Sequence, residues 1–582
     1  MDIAIVVFLF LLALRSIAQA AEPNPISNFC RRWYHQSQVK NGMLFIDGGV
    51  ASFSDDNQFT WNGSITFGPN KYIITVDMST SWWWHTDIKQ AVLNKSVASL
   101  SNTAKPIVHS GALFQGMPDD PQIYLYGGRT PSINMSFPHW QDPQTAMYTL
   151  WGFNTKTYDW TQYDVSMDIP ERPSSGASAE APELGMAFYL NGMITNMSST
   201  THYYDNITAS SLKGMVVLDL QNHTAMNRST DIITNNTPRT RGGMVYIASV
   251  GKMGILVSVG GAMGVEGNLQ LVNMGQISVF DVESVYGPDS PNSNNGWYTQ
   301  YIAGTVPSPR VDFCLIVVSA PDNTSSQIFM YGGWNPILPQ YYDEVWVLSI
   351  PSFTWIKVNA GVSPRFGHTC HLVGNRQMLT SGGLGDNPPS GCDWEWRGVA
   401  ILDLYEVIWG EHFTVDSPPY QVSPRIFQVI GGGPDGGAEK MLSDGGWSST
   451  SIANLFTRTT DQNAPFSPLG FVHEKNSGGG SSNVSKGIIA GSVVGGLTFV
   501  SLVIIGFFLS RRGLKQKKRD ITETRVESRA ERDELDGIPR SELDIGVRQT
   551  HAEASGNPIS ELFGVQIPSE LASRRGSSPS KQ

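Results

Sequence analysis

Short apolar runs that end in a pair of glycines recur along the chain and form its clearest pattern. Five such runs begin at Met43, Ile123, Ile255, Ile328 and Met378, and a degenerate sixth copy ends in Asn191 and Gly192. The glycine pairs are Gly48 and Gly49, Gly127 and Gly128, Gly260 and Gly261, Gly332 and Gly333, and Gly382 and Gly383. Each run has the length of a β-strand, and a glycine pair allows positive φ and close backbone approach at the strand end.

A second apolar or aromatic segment follows each glycine pair and predicts another strand. These segments are 72–78, 147–153, 215–220, 277–282, 345–350 and 399–404. Aromatic residues come soon afterwards, as at Trp160, Trp297, Trp355 and Trp409, and predict a large apolar body between neighbouring units. A four-stranded sheet of this kind cannot bury both faces alone, but repetition around an axis buries them. The pattern predicts an all-β fold, a β-propeller of six blades, with a seventh blade at 420–447 as the alternative.

The first of two longer apolar segments runs from Ile3 to Leu14 and precedes the small-residue sequence Ala18-Gln19-Ala20. About a dozen apolar residues are too few to cross a bilayer but suit the core of a secretory signal peptide. We therefore expect residues 1–20 to be a signal peptide and the repeats to form an ectodomain at 21–460.

The second segment, 487–510, contains no charged residue and is long enough to cross a bilayer as a helix. A cluster of Lys and Arg residues follows directly from Arg511 to Arg519, which predicts the cytoplasmic side. We expect a single-pass type I protein of the plasma membrane, with its ectodomain outside, a Gly- and Ser-rich stalk at 461–486 and a disordered cytoplasmic tail at 511–582. Gly487, Gly491 and Gly495 also suggest a helix dimer as one hypothesis.

Acceptor sequences for N-glycosylation agree with secretion. Ten Asn-x-Ser/Thr sequences precede residue 487, at Asn62, Asn94, Asn134, Asn196, Asn206, Asn222, Asn227, Asn235, Asn323 and Asn483. Charge also limits the partners: 14 of the 40 Lys and Arg residues and 12 of the 51 Asp and Glu residues follow Ser510, so the part before it carries a net charge of about −13. An acidic ectodomain repels phosphate backbones, and we expect no nucleic-acid partner.

Pro-Arg turns precede several glycine pairs, at Pro238, Pro309 and Pro364. With Pro364-Arg365-Phe366-Gly367-His368 and the glycine pair after it as the clearest copy, the repeat resembles the kelch repeat over about residues 30–413. The order of signal peptide, propeller, stalk, single helix and charged tail is similar to that of fungal kelch-repeat membrane proteins. The resemblance implies a kelch-type β-propeller. The first two glycine pairs are 79 residues apart, which implies long insertions between strands.

The four cysteines predict one disulfide bond. Cys370 and Cys392 flank the glycine pair of the sixth repeat, so we expect them to bridge neighbouring strands. Cys30 and Cys314 lie in the first and fifth repeats, which are not neighbours in a six-bladed ring, and the sequence gives them no partner.

Three consecutive tryptophans, Trp82, Trp83 and Trp84, form an unusual aromatic cluster. One hypothesis is a platform on which sugar rings stack. The alternative is that alternate residues fill the packing of a blade while one remains exposed.

The absence of a recognisable catalytic set favours a cell-surface binding or scaffold protein, whose loops present a face to an extracellular protein or glycan. The alternative is an enzyme on the same scaffold, either a carbohydrate-active hydrolase or a copper oxidase. His368 and His371 suggest a metal site, but residues three apart on a strand point to opposite faces. We therefore expect neither a metal nor another cofactor.

Overall fold

The described part of the chain lies within the predicted ectodomain. The computed structural model describes residues 22–54, 65–95, 105–137, 149–165, 172–199, 209–234, 237–264, 269–287, 294–385 and 391–457. The predicted signal peptide, stalk, membrane segment and tail lie outside the described residues, so these four predictions stay predictions. Within the described ranges, no helix has both the length and the apolar character needed to span a bilayer.

Six four-stranded antiparallel sheets form the described part, and in each the strands lie side by side in chain order. We call them blades 1 to 6. Blade 1 contains Gln36–Lys40, Met43–Asp47, Tyr72–Asp77 and Gln90–Asn94, and blade 2 contains Ala112–Phe114, Gln122–Tyr126, Leu150–Asn154 and Trp160–Tyr163. Blade 3 contains Ala177–Ala181, Met186–Leu190, Met215–Asp219 and Thr224–Arg228, and blade 4 contains Gly243–Ile247, Ile255–Val259, Gln276–Asp281 and Trp297–Tyr301. Blade 5 contains Cys314–Ser319, Ser326–Tyr331, Glu344–Ile350 and Thr354–Ala360, and blade 6 contains Thr369–Val373, Gln377–Ser381, Val399–Asp403 and Ile408–Gly410.

The first strands of the six blades contact one another in a closed cycle, in which blade 6 also contacts blade 1. This all-β arrangement fits a six-bladed β-propeller. Apolar side chains fill the junctions between blades; one cluster joins Leu44 and Ile46 of blade 1 with Leu379 and Ile401 of blade 6. The aromatic residues contribute as predicted, because the Trp355 indole of blade 5 donates to the Met274 carbonyl of blade 4 at 2.9 Å.

The glycine pairs connect each blade to the next. The Gly49 N–H donates to the Val108 carbonyl at 2.9 Å, and the equivalent bond at the end of the cycle joins Gly383 to Arg32 at 2.6 Å. The four bonds between them join Gly128 to Pro173, Gly192 to Arg239, Gly261 to Arg310, and Gly333 to Arg365. A Cβ on Gly48 would lie 2.0 Å from the Val108 oxygen, which explains why glycine stands there. In the degenerate copy Asn191 takes the first position with a φ of 52°.

The two faces of the ring differ. We call the face at which the second strands end in the glycine pairs the glycine face, and the face with the turns between first and second strands the turn face. On the glycine face, the connections between second and third strands are long, as the repeat spacing predicted. Four of them form additional small sheets in the described residues, and two of these sheets include a strand that precedes blade 1 or blade 4. These are Phe29–Trp33 with Val50–Ser54 and Ile65–Pro69, Met193–Thr195 with Ala209–Ser211, Arg239–Thr240 with Ala262–Met263 and Gln270–Leu271, and Trp334–Asn335 with Gln340–Tyr341.

The segment after blade 6 covers the turn face, and the alternative of a seventh blade at 420–447 is wrong. The segment contains two helices, Pro424–Ile430 and Thr450–Thr457, and no strand after His412–Phe413 in the described range. It follows the turns of three blades in succession: the Asn375 side chain donates to the Ser417 carbonyl at 2.7 Å, and the Gly437 N–H donates to Asp322 at 2.6 Å. Leu455 then packs against Gly251 in blade 4. The apolar residues here cover the ring instead of forming another blade.

Four short helical turns complete the described elements, together with one short strand pair. The turns are Asp231–Thr234, Pro182–Leu184 and Val282–Tyr286, and a further turn at Trp396–Gly398 leads into blade 6. The strand pair joins Trp82–Trp83 of blade 1 to His412–Phe413, so that the chain beyond blade 6 contacts blade 1.

The predicted Cys370–Cys392 disulfide is wrong. The structure pairs Cys30 with Cys392 and Cys314 with Cys370, so both bonds join neighbouring blades. Cys314 and Cys370 lie on the first strands of blades 5 and 6, which contact each other. Cys30 lies on the strand Phe29–Trp33, beside the blade 1 insertion, where the closed ring brings it against the loop of blade 6. The prediction paired cysteines within one repeat, whereas the ring brings different repeats together.

Candidate functional site

A closed ring of backbone hydrogen bonds surrounds the axis on the glycine face. Just before its first strand, each blade supplies one residue whose N–H donates to the carbonyl of the corresponding residue of the preceding blade, at 2.7–3.0 Å. All six residues have positive φ, between 52° and 64°. From blade 1 to blade 6 they are Tyr34, Ser110, Ser175, Arg241, Asp312 and Gly367. This axial ring places six side-chain positions around one opening.

The opening leads to a cavity of about 120 Å³, lined by the axial ring and the residues that follow it. At its edge, three side chains donate hydrogen bonds to the Asp312 carboxylate. The Arg241 Nε donates to both oxygens of Asp312, at 2.9 and 3.1 Å, and its Nη2 pairs with the same carboxylate. The Tyr34 hydroxyl donates to Asp312 at 3.0 Å, and the Trp334 indole N–H donates to it at 2.8 Å. The Asp312 carboxylate therefore joins blade 1 to blades 4 and 5 across the axis.

Electrostatics at this cluster favour a fixed ion pair. Burial lowers the pKa of the Arg241 guanidinium, but attraction to Asp312 outweighs that effect and holds its pKa above the ordinary value. Burial and the neighbouring Asp312 charge both raise the pKa of Tyr34 well above its ordinary value. Arg241 is thus charged and Tyr34 is neutral at physiological pH. Both oxygens of Asp312 accept hydrogen bonds, so the cluster holds the three blades together at the opening.

The two histidines considered for a metal site have separate surroundings. His368 lines the axial cavity, and burial lowers its pKa to about 3. His371 lies farther along the first strand of blade 6, where its Nε2 is 2.7 Å from the Ser37 hydroxyl of blade 1, and burial lowers its pKa to about 4. In the part of the chain that the structure describes, no group of three or more His, Cys, Asp or Glu side chains is arranged to hold a metal ion.

A half-buried carboxylate, that of Glu180, lies nearer the turn face, on the first strand of blade 3. Glu180 accepts a hydrogen bond from the Gln38 side chain of blade 1 at 2.5 Å and from the Gln115 backbone N–H of blade 2 at 2.8 Å. Burial raises its pKa to about 8. These contacts link three neighbouring first strands, which makes Glu180 a connection between blades.

The glycine face also carries an apolar hairpin tip. In the blade 5 connection, Ile337 and Leu338 lie between Pro336 and Pro339, with 54% and 68% of their surface exposed. The base of the hairpin is fixed: the Trp334 and Tyr341 rings stack with centroids 5.8 Å apart, and Trp334 also contacts Asp312. The two aliphatic side chains are therefore held in solvent by a rigid support.

The three consecutive tryptophans do not form one platform. Trp82 and Trp84 are buried between blades 1 and 6, whereas Trp83 is exposed. Their backbone is extended where Trp82–Trp83 pairs with His412–Phe413, so successive side chains point to opposite sides. The platform of Trp82, Trp83 and Trp84 is wrong, and the alternative with one exposed residue describes them.

The predicted glycosylation positions differ in accessibility. Four of the asparagines are exposed, namely Asn94, Asn222, Asn227 and Asn323. Asn134 and Asn196 are half-buried, and Asn134 also bonds its own loop through Phe137. Asn62, Asn206, Asn235 and Asn483 lie outside the described residues. Whether any of them carries a glycan stays a prediction.

Neither the axial ring nor Trp394 was expected from the sequence. A signal for part of the ring was present, because Arg241, Asp312 and Gly367 each stand two residues after the arginine of a Pro-Arg turn. Tyr34 has no such marker, and Trp394 lies in an insertion outside the repeat pattern.

Comparison with known proteins finds a relative that is similar over most of the chain. A kelch repeat-containing protein of Arthroderma benhamiae is 26% identical over 583 residues, which covers 88% of this chain and 79% of the relative. This similarity supports a kelch-repeat family. Two shorter matches cover parts of the chain. Human host cell factor 1 is 27% identical over 19% of this chain and 6% of its own length. Bovine kelch domain-containing protein 3 is 29% identical over 14% of this chain and 22% of its own length. No family model matches.

Proposed function

We propose that the chain is a kelch-propeller binding protein of the cell surface, tethered by residues 487–510, whose glycine face binds a protein partner. The similarity to kelch repeat-containing proteins supports a binding scaffold. The difference between the two faces of the ring indicates which face binds the partner. The segment 414–457 occupies the turn face of blades 4 to 6, while the glycine face carries the long insertions. Loops on a rigid scaffold are where binding sites commonly lie.

The course of the chain beyond blade 6 supports the same face. The last described helix, Thr450–Thr457, packs at the turn face beside blades 4 and 5. The chain itself therefore covers the turn face of these blades, which favours the glycine face as the binding face.

The observation that carries the proposal is the exposed pair Ile337 and Leu338. Single exposed apolar residues are common, but here two neighbours are held at the tip of a hairpin whose base is fixed by Trp334, Tyr341 and Asp312. Full burial of an aliphatic side chain contributes about 1.5–3 kcal/mol. A preorganised pair can therefore act as an anchor in an apolar pocket of a partner, since little conformational entropy is lost on binding.

The test uses the full chain on living cells, with a photoreactive amino acid at Leu338 or, as a matched control on the turn face, at Tyr286. We expect a discrete protein cross-linked from position 338 and not from position 286. That protein is then purified, and its affinity is measured for the chain carrying Ile337→Asp and Leu338→Asp and for the Tyr286→Asp control. The proposal requires a loss of at least about tenfold in the first variant only. Equal binding by both variants would overturn it.

A further inference from the structure

Acceptor sequences for N-glycans are distributed unevenly around the ring. Of the nine acceptors that precede residue 458, eight lie before residue 237, in the part of the chain that contains blades 1 to 3. Between residues 237 and 457 the sequence has one acceptor, Asn323, which stands at the turn face between the first two strands of blade 5. One half of the propeller therefore carries nearly all of the positions at which a bulky, hydrated glycan can be attached.

Four of the eight acceptors lie on the glycine face of blades 1 to 3. Because neighbouring strands of a blade are antiparallel, the fourth strand runs in the same direction as the second and ends at the glycine face. Asn94 and Asn227 stand near that end of the outermost strands of blades 1 and 3, and both are exposed. Asn134 and Asn196 lie in the connections that follow the second strands of blades 2 and 3.

The large apolar side chains exposed on the glycine face have the opposite distribution. Among the described residues, five of them lie in blades 4 to 6 and have between 54% and 94% of their surface exposed. Tyr301 ends the fourth strand of blade 4, Ile337 and Leu338 form the hairpin tip of blade 5, Val362 follows the fourth strand of blade 5, and Trp394 lies in the blade 6 connection. No acceptor sequence accompanies any of the five on this face.

On the other half of the glycine face, the exposed apolar residues stand beside acceptors. Met135 is 58% exposed and occupies the middle position of the acceptor Asn134-Met135-Ser136. Ile232 is 59% exposed and precedes the acceptor Asn235 by three residues. A glycan attached one or three residues away is close enough to cover such a side chain. Exposed apolar surface is thus paired with an acceptor in blades 1 to 3 and left without one in blades 4 to 6.

We propose that N-glycans cover the glycine face of blades 1 to 3 and confine the protein partner to the glycine face of blades 4 to 6, which we call the open sector. The proposal rests on the protein-binding role of the glycine face and adds which half of that face the partner contacts. The partner is a protein that offers apolar pockets to the open sector, because exposed apolar side chains concentrate there and the core of a protein interface is more apolar than the surrounding surface.

The first measurement needs no partner. The full chain is produced in eukaryotic cells, and its glycans are released by peptide N-glycosidase in heavy-oxygen water, which marks each occupied asparagine for mass spectrometry. We expect at least three of the four asparagines Asn94, Asn134, Asn196 and Asn227 to be marked. Marking of two or fewer would overturn the proposal, because the glycine face of blades 1 to 3 would then lack its cover.

The second measurement adds glycans to the open sector of the full chain. Ala303→Asn creates an acceptor between blades 4 and 5, because Thr305 stands two residues later, and Ala360→Asn with Val362→Thr creates one between blades 5 and 6. All three replaced side chains are exposed. The probe is the purified protein that is cross-linked from position 338. We expect each added glycan, once confirmed by its mass, to raise the Kd of this protein at least about tenfold.

Matched variants separate the glycan from the substitution that introduces it. Ala303→Gln and Val362→Thr alone create no acceptor and should keep the wild-type Kd. Asp159→Asn places an acceptor at the turn face of blade 2, since Thr161 stands two residues later, and should also keep it. So should the combined Asn94→Gln and Asn227→Gln variant, which loses two natural acceptors.

Two results of the binding measurement would overturn the proposal. They are a wild-type Kd with both glycans added in the open sector, and a raised Kd after loss of the acceptors at Asn94 and Asn227. Failure of the open sector is distinguishable from failure of the glycine-face role. If Ile337→Asp and Leu338→Asp weaken binding while the added glycans do not, only the open sector is refuted, whereas the absence of a protein cross-linked from position 338 refutes the role of the face.

Discussion

Ring closure in this propeller depends on a disulfide bond in a way that can be measured. Each blade is built from one contiguous stretch of chain, and no strand of blade 1 enters the sheet of blade 6. Besides side-chain packing and hydrogen bonds such as those from Gly383 to Arg32 and from Tyr34 to Gly367, closure rests on the pairing of Trp82–Trp83 with His412–Phe413 and on the Cys30–Cys392 bond. Replacing Cys30 and Cys392 by serine removes the covalent part, and replacing Cys314 and Cys370 gives a matched control.

The expected magnitudes follow from the lengths of the loops that the two bonds close. The Cys30–Cys392 bond spans 362 residues and the Cys314–Cys370 bond spans 56. In the chain-entropy description, the first lowers the free energy of the folded state relative to the unfolded chain by about 6 kcal/mol and the second by about 4 kcal/mol. Each variant replaces two cysteines by serine, so the difference of about 2 kcal/mol between their free energies of unfolding isolates the effect of loop length.

The assay is urea unfolding of the oxidised chain, followed by tryptophan fluorescence, with hydrogen exchange as a local readout. We expect both double variants to unfold at lower urea, the Cys30/Cys392 variant at the lower concentration of the two. Exchange should quicken in Gln36–Lys40 and Thr369–Val373 and remain unchanged in the strands of blade 3. Equal stability of the two variants, or a non-reduced peptide that links Cys370 to Cys392, would refute the reasoning.

Three further predictions concern the glycine pairs, an acidic group and the tether. Gly127→Ala should destabilise the fold by at least about 2 kcal/mol in urea unfolding, because the added Cβ would lie 2.1 Å from the Pro173 oxygen at a φ of 68°. The control Gly410→Ala should change stability by less than about 0.5 kcal/mol, because a Cβ there would meet nothing within 4 Å. Burial alone would raise the pKa of Glu344, but hydrogen bonds from Lys357 and Arg310 lower it to about 2. The stability that the ionised Glu344 contributes is therefore present above pH 4.5 and is lost as the pH falls toward 2. Glu344→Gln should remove about 2 kcal/mol of this acid dependence of the free energy of unfolding, after allowance for screening by solvent, and an unchanged acid titration of stability would contradict this. A chain ended after residue 486 should appear in the medium, while the full chain sediments with membranes; retention of both would argue against the tether at 487–510.

The repeated units could be predicted because each is encoded in a contiguous stretch of sequence. A run such as Ile328 to Gly333 contains both the strand and the residues that end it, and the expected third strands agree with the observed ones to within a few residues. The alternation of side chains along a strand also gave the correct interpretation of Trp82 and Trp84 as residues that fill the packing of a blade. These features depend on backbone conformation and on the side to which a residue points, and both repeat with the strand.

The disulfides and the axial cluster could not be predicted, because they depend on which blades the ring makes neighbours. Cys30 appears distant from Cys392 along the chain, but in a closed ring the first and sixth blades touch. Likewise, Tyr34 lies more than 200 residues before Arg241, and Arg241 lies about 70 residues before Asp312. Only closure of the ring brings the three side chains to one opening. Trp394 illustrates a third case, since its neighbours Asp393 and Glu395 pair with Arg365, and no local pattern in the sequence encodes these contacts.

The axial ring shows how one repeated backbone position acquires different roles. Five of its six residues are not glycine although all have positive φ, a conformation that costs about 1 kcal/mol or more for such residues. The cost is tolerated because each N–H and carbonyl at this position bonds the neighbouring blade, and the side chain is left directed by the ring toward its opening. Gly367 is the exception for a steric reason, because a Cβ there would lie 3.0 Å from the ring of Tyr34, whose hydroxyl donates to Asp312. Glycine in blade 6 therefore makes room for the tyrosine of blade 1. Side chains of blades 1, 4 and 5 meet at the opening, whereas blades 2 and 3 contribute only serines to the axial ring.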